Sequence, residues 1–263
     1  MRLERAAAER DRLVPTPPRG ADPDQPHRGP HRHPAPTSRT AGRPTARNAG
    51  YDLLTNDGTI TLNPAPASDD VILTGWQYHN VTLGGRGQLV VRTGGDVCDA
   101  RVETTGETVI NGPLHTVRGE GAITCPFTNQ GRISADLSGR RLLLTGPGMS
   151  NEGLVEARNT DVLELSTRLT QGQSGTVLAD GGIVRLSNGS VVYGTIDSAN
   201  DGVVESVPGT NRLSGLTNNG TITLNQLHEP GGAVLNGCGY CSVTLGGTGE
   251  LVMCTAGGST TPE

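Results

Sequence analysis

The chain has 263 residues, of which 39 are Gly and only 2% are aromatic, with one Phe and one Trp. A compact globule relies on large aromatic and aliphatic side chains for its core, so this composition points instead to Leu, Val and Ile in thin stacked sheets. From residue 49 on, 11 Arg stand against 21 acidic residues, a net charge of −10; such a body repels nucleic-acid phosphates, and no apolar run reaches the roughly 18 residues needed to span a membrane.

The N-terminal stretch is different in kind. All 21 basic residues of the chain are Arg, and ten of them lie in residues 1–48 beside nine Pro and three His. Between residues 19 and 47 there is no Leu, Ile, Val, Phe or Met. Such a stretch cannot bury enough apolar surface to offset its ordering entropy. We read 1–49 as a disordered Arg/Pro-rich segment and 50–263 as the folded domain. A basic arm for acidic partners is one use for the segment; a tail without a role, or translated upstream DNA, fits its low complexity better. Met1 is followed by Arg2-Leu3-Glu4-Arg5 and no apolar stretch, so no secretion signal is visible.

The folded part is a repeat. Leu54-Thr55-Asn56-Asp57-Gly58-Thr59-Ile60-Thr61-Leu62-Asn63 returns at 216–225 with only Asp57 changed, to Asn219. Val81-Thr82-Leu83-Gly84-Gly85, continued by Gly87, Leu89 and Val90, returns as Val243-Thr244-Leu245-Gly246-Gly247 with Gly249, Leu251 and Val252. The displacement from Leu54 to Leu216 equals that from Val81 to Val243, so the two blocks together define one 162-residue unit and the beginning of a second. Inside the unit a shorter motif, Asn-x-Gly followed by an aliphatic, starts at Asn56, Asn129, Asn151, Asn200 and Asn218. A spacing of about 20 residues is one turn of a β-solenoid.

Local chemistry agrees. Thr59-Ile60-Thr61-Leu62, Arg132-Ile133-Ser134-Ala135 and Val162-Leu163-Glu164-Leu165 alternate polar and apolar, which predicts half-buried strands. Asn-x-Gly supplies turns, because Asn bonds the backbone two residues on and Gly accepts positive φ. No stretch after residue 49 carries helical periodicity. The predicted fold is all-β: a single-stranded parallel β-helix (β-solenoid) of roughly ten turns, right-handed by the rule for β-crossovers. Its predicted core includes Ile60, Leu62, Leu89, Ile133, Leu144, Leu163, Leu165, Ile183, Leu186, Ile222, Leu224 and Leu251. A β-sandwich ranks second, since it predicts no recurring motif.

The segments FTNQGRISAD, MSNEGLVEA, DGGIVRLSNGSVV, RLSGLTNNGTITL and SVTLGGTGELVM resemble the repeats of large secreted bacterial proteins, those with filamentous-haemagglutinin-like and autotransporter-passenger-like β-helices. The resemblance covers about 50–263. It implies a right-handed parallel β-helix, an extracellular or cell-surface location, and adhesion or scaffolding. The signal sequence and translocator barrel usual in such proteins are not seen in this sequence.

No constellation reads as catalytic, cofactor-binding or metal-binding. Asp69-Asp70 and Asn159-Thr160-Asp161 are similar to pieces of β-helical polygalacturonase motifs, but the order is inverted and partner motifs are missing; such hydrolysis needs converging carboxylates. Cys238-Gly239-Tyr240-Cys241 is a lone CxxC, and zinc normally needs a second ligand pair; Cys254 and His228 fit no standard spacing. Free thiols are expected, ahead of a Cys238–Cys241 disulfide or a metal. His228-Glu229-Pro230 is not a zinc-protease motif, and the Gly pairs at 84–85, 94–95, 181–182 and 231–232 precede no helix, so a phosphate loop is not expected. Asp69, Asp70, Asp136, Asp161, Asp180, Asp197 and Asp201 read as solvated turn residues. The expected function is a non-catalytic structural or adhesive repeat region of a bacterial surface or secreted protein, with a surface ligand or end-to-end self-association as its partner and no nucleic acid or cofactor. The alternative is a β-helical carbohydrate-active enzyme, a polysaccharide hydrolase or lyase; a third reading is a truncated gene product with no function of its own.

Overall fold

The computed structural model describes residues 51–62, 71–74, 79–93, 100–137, 139–224, 233–236 and 245–254. The segment assigned to disorder, 1–49, lies outside them. The chain winds through three all-parallel sheets of nine strands each. The first sheet stacks Tyr51–Thr55, Asn80–Gly84, Val109–Asn111, Phe127–Asn129, Met149–Asn151, Arg168–Gln171, Ser190–Val192, Gly209–Ser214 and Ala233–Asn236. The second stacks Thr59–Leu62, Gln88–Val91, Thr116–Gly119, Arg132–Ala135, Leu154–Arg158, Thr176–Asp180, Thr195–Ala199, Leu216–Asn218 and Leu245–Gly246. The third stacks Val71–Thr74, Ala100–Glu103, Gly121–Ile123, Arg141–Leu144, Val162–Leu165, Ile183–Leu186, Val203–Ser206, Thr221–Leu224 and Glu250–Met253. One strand from each sheet makes a rung. Strands paired in register and all parallel are the parallel β-helix that the repeat predicts. Nine rungs at the usual strand spacing run about 40 Å along the axis.

Rung length is uneven. On the second sheet one rung carries the chain only from Thr116 to its partner Arg132, whereas another takes the much longer path from Thr59 to its partner Gln88.

Alternation decides which residues enter the core. Leu89, Val117, Ile133, Val155, Val177 and Ile196 stack in register on the second sheet and are at most 2% exposed. Ile123, Leu144, Leu165 and Leu186 form the matching row on the third. Each such aliphatic contributes about 1.5–3 kcal/mol on burial. Of the predicted core, Leu62, Leu89, Ile133, Leu144, Leu163, Leu165, Leu186, Ile222 and Leu224 are buried. Ile60 is half-buried on the first rung and packs against the core. Ile183 is a correction: it pairs with Val162 and Val203, and it is Val184 that is fully buried. Two adjacent aliphatics, Ile183-Val184, leave the phase of the alternation undecided in the sequence. Leu251 is a second correction, at 42% exposed, because its strand is the last in its sheet.

The long repeat holds a further feature. Leu54-Thr55 lies on the first sheet and Thr59–Leu62 on the second, while their copies Leu216–Asn218 and Thr221–Leu224 lie on the second and third. The copies are seven turns and one side apart, so the same sequence occupies a different corner. Its local bonding is nonetheless preserved. Gly87 N–H donates to Asn56 O (2.7 Å) and Gly249 N–H to Asn218 O (2.8 Å); Gln88 N–H donates to Gly58 O (2.8 Å) and Glu250 N–H to Gly220 O (2.9 Å). A Cβ on Gly87 would stand 2.3 Å from Gly58 O, and one on Gly249 2.2 Å from Gly220 O, which is why both rungs need Gly there.

Candidate functional site

The least expected feature is inside. On the first sheet the inward row begins with Leu54 and Leu83 and then turns polar: Asn111, Asn129, Asn151 and Gln171 follow in register. All four are at most 3% exposed. Asn111 Nδ2 donates to Asn129 Oδ1 (2.8 Å), Asn129 Nδ2 to Asn151 Oδ1 (2.8 Å), and Asn151 Nδ2 to Gln171 Oε1 (3.1 Å). Spare amide protons go to corner carbonyls, as in Asn111 to Arg132 O, Asn129 to Leu154 O and Asn151 to Thr176 O. At one end His115, 1% exposed, joins the ladder: its Nδ1 lies 2.8 Å from Asn111 Oδ1 and its Nε2 3.2 Å from Asn56 Nδ2. An acceptor faces Nδ1 and a donor faces Nε2, so the neutral Nδ1–H tautomer satisfies both. Burial lowers its pKa below 6.5. At the other end Gln171 Nε2 donates to Tyr193 O (3.0 Å) and Thr195 O (3.2 Å). By the sequence alone Asn56, Asn129, Asn151 and Asn218 are expected as turn formers. Asn56, Asn151 and Asn218 do accept from the N–H of Gly58, Gly153 and Gly220, but the same side chains also line the interior. The signal was present in the near-rung spacing of Asn129 and Asn151.

Asn159-Thr160-Asp161 forms a corner between the second and third sheets. Asn159 and Thr160 have φ of 54° and 68°, and the stacked corners beside them also turn left-handed, at Gly181 (70°) and at Asn200 and Asp201 (50° and 62°). Asp161 is 1% exposed, so it is not the solvated turn residue expected. Its Oδ1 accepts the Arg140 N–H (3.1 Å), and its Oδ2 is buried without a partner. Burial raises its pKa, the backbone N–H groups of Arg140 and Gly139 oppose this, and Asp136 and Glu120 reinforce it. The carboxyl braces the neighbouring corner and presents nothing to a polymer.

Outward carboxylates are matched by Arg one rung away. On the second sheet Arg118 pairs with Asp136 (3.0 Å), Arg132 with Glu156, and Arg158 with Asp180 (3.0 Å). On the third, Arg141 pairs with Glu164 (2.8 Å) and Arg185 with Glu205 (2.6 Å). Glu120 takes Arg140 (3.3 Å) and the Thr93 N–H (3.1 Å). Asp197 accepts from Ser198 N–H. Among the described residues no three His, Cys, Asp or Glu come together to hold a metal ion, and no helix is long and apolar enough to cross a membrane. Cys125 is buried and free, and Cys254 is half-buried and free. Gly84-Gly85 and Gly181-Gly182 are corners with no helix after them. Asp69, Asp70, His228, Glu229, Cys238, Cys241 and the Gly pairs at 94–95 and 231–232 lie outside the described residues.

No protein-family model, curated protein or solved structure matches the chain.

Proposed function

We propose that the chain is a structural or adhesive repeat region of a bacterial surface or secreted protein, without a catalytic role of its own. The supporting observation is the pairing of the flank carboxylates. Asp136, Glu156, Glu164, Asp180 and Glu205 are spread over two sheets, each against an Arg. A polysaccharide hydrolase needs two carboxyl groups converging on one bond. A scaffold that presents long flanks to a partner needs regular, internally neutralised rows. The resemblance of the repeats to secreted β-helices supports the location. End-to-end stacking adds a second mode of association: the aliphatics of the last rung, Leu245, Leu251 and Met253, are 40%, 42% and 76% exposed.

Two measurements test the reading with the full chain. Beads coated with it should adhere to bacterial or host cells above uncoated beads, and pectin and other polysaccharides should release no reducing or unsaturated ends. Release that disappears in Asp161→Asn would replace this reading by the enzymatic one.

A further inference from the structure

Three successive rungs close the corner between the first and second sheets in unequal ways. Four residues, Gly172-Gln173-Ser174-Gly175, join Gln171 to Thr176; two, Tyr193-Gly194, join Val192 to Thr195; Gly215 alone joins Ser214 to Leu216. A cleft of about 470 Å3 lies at this corner, lined by Gln173, Tyr193, Thr195, Gly215 and Thr217 among others. That is within the size range of small-molecule sites.

Tyr193 is the unusual residue in it. Its ring side chain is large, yet its φ is 65°, a region that bulky L-residues avoid. It is also 54% exposed, so burial does not explain it. Its backbone is clamped from both sides: the N–H donates to Ser214 O (2.8 Å), and the carbonyl accepts from Gln171 Nε2 (3.0 Å), the last amide of the buried ladder. The ring rests on Gly215, where a Cβ would stand 2.9 Å from its Cδ1. Gly194 follows at φ 68°, and a Cβ there would lie 2.6 Å from Gln171 Cβ. A glycine at 193 would fit this backbone better. Strain that the surroundings hold in place, at an exposed aromatic, is a sign of function.

The chemistry of the cleft names a ligand class. No lining side chain is charged, unlike the Arg–carboxylate rows of the flanks. The exposed Tyr193 lines the cleft together with the amide residue Gln173 and the hydroxyl residues Thr195 and Thr217. Such a set suits the C–H face of a pyranose on the ring and its hydroxyls on the amide and hydroxyl groups. The geometry points to a subsite for a neutral hexose unit of a glycan, with Tyr193 as its stacking platform. This gives the adhesive reading a ligand and rests on it for biological use, but the binding itself is measured separately.

The full chain is titrated, by ligand-observed NMR, with neutral tetrasaccharides of glucose, mannose and galactose and with tetragalacturonate. At least one neutral sugar should bind in the millimolar range expected of a shallow site, and the uronate roughly tenfold more weakly. Tyr193→Phe keeps the ring and should bind within about threefold of the parent. Tyr193→Gly, which relieves the backbone strain, should weaken binding roughly tenfold or more, as loss of a buried ring face implies. Gln173→Ala, at an exposed position, should weaken it about threefold and gives a readout independent of residue 193. Absence of neutral-sugar binding, equal binding of the uronate, or a Tyr193→Gly chain that binds like the parent would each overturn the subsite. Normal sugar binding by a chain whose beads do not adhere would remove the adhesive reading and leave the subsite standing.

Discussion

Asn129 is the middle link of the buried amide ladder, and its replacement by Ala measures what that ladder contributes. The side chain makes four bonds: from Asn111 Nδ2 (2.8 Å), and to Asn151 Oδ1 (2.8 Å), Leu154 O (3.0 Å) and Gly131 O (3.3 Å). Its neighbours are not left wholly stranded. Asn111 Nδ2 keeps Arg132 O, and Asn151 Oδ1 keeps the Gly153 N–H. The cost is therefore the net worth of the lost bonds, each about 1 kcal/mol, less than the full penalty of unpaired buried groups. The vacated amide adds a small cavity at a site that is 1% exposed. Together these give about 4–5 kcal/mol, or roughly 8–20 °C in Tm for a domain of this size. Far-ultraviolet circular dichroism on heating reads it directly. Ser150→Ala is the control: Ser150 faces outward on the next rung and its hydroxyl donates to Thr128 Oγ1, so about 0.5 kcal/mol or less is expected. If Asn129→Ala melts with Ser150→Ala, the ladder is a passive consequence of stacking and contributes nothing.

Three further outcomes follow from single residues. Burial lowers the His115 pKa below 6.5, so the neutral ring's contribution is complete above that value and is lost as pH falls through the lowered folded value; Tm should drop between pH 7 and 5 more in the parent than in His115→Gln. A Cβ on Gly146 would stand 1.9 Å from Cys125 O, whereas one on Gly246 meets nothing within 4 Å; Gly146→Ala should cost about 2 kcal/mol or more in denaturant titration and Gly246→Ala less than about 0.5. The Cys125 thiol is pushed up to about 12 by burial, chiefly through desolvation; iodoacetamide at pH 8 should label it only after unfolding, as read by peptide mass spectrometry.

The architecture was legible in the sequence because a β-helix is written locally. Alternation in Thr221-Ile222-Thr223-Leu224 or Val162-Leu163-Glu164-Leu165 marks a strand and its buried face, and Asn-x-Gly marks a corner, each within a few residues. Recurrence of such units then implies stacking, since one rung cannot bury its aliphatics alone. Phase was less secure where two aliphatics adjoin, as at Ile183-Val184, because only the register with Val162 and Val203 selects the inner one.

What tertiary structure alone decided is how far around the axis each segment falls. The rung from Thr116 to Arg132 takes far less chain than the rung from Thr59 to Gln88, so a count along the chain does not give an angle. That is why the long repeat appears in the sequence as two equal copies while the fold sets them one side apart. The same holds for the polar features. Asn129 and Asn151 read as turn residues until stacking brings their amides within 2.8 Å, Asp161 reads as solvated until the neighbouring corner closes over it, and Tyr193 acquires its cleft only with the corners on either side of its own, which supply Gln173 and Gly215. Each depends on which rung lies next along the axis, a relation set by packing across the stack and not by neighbours in the chain.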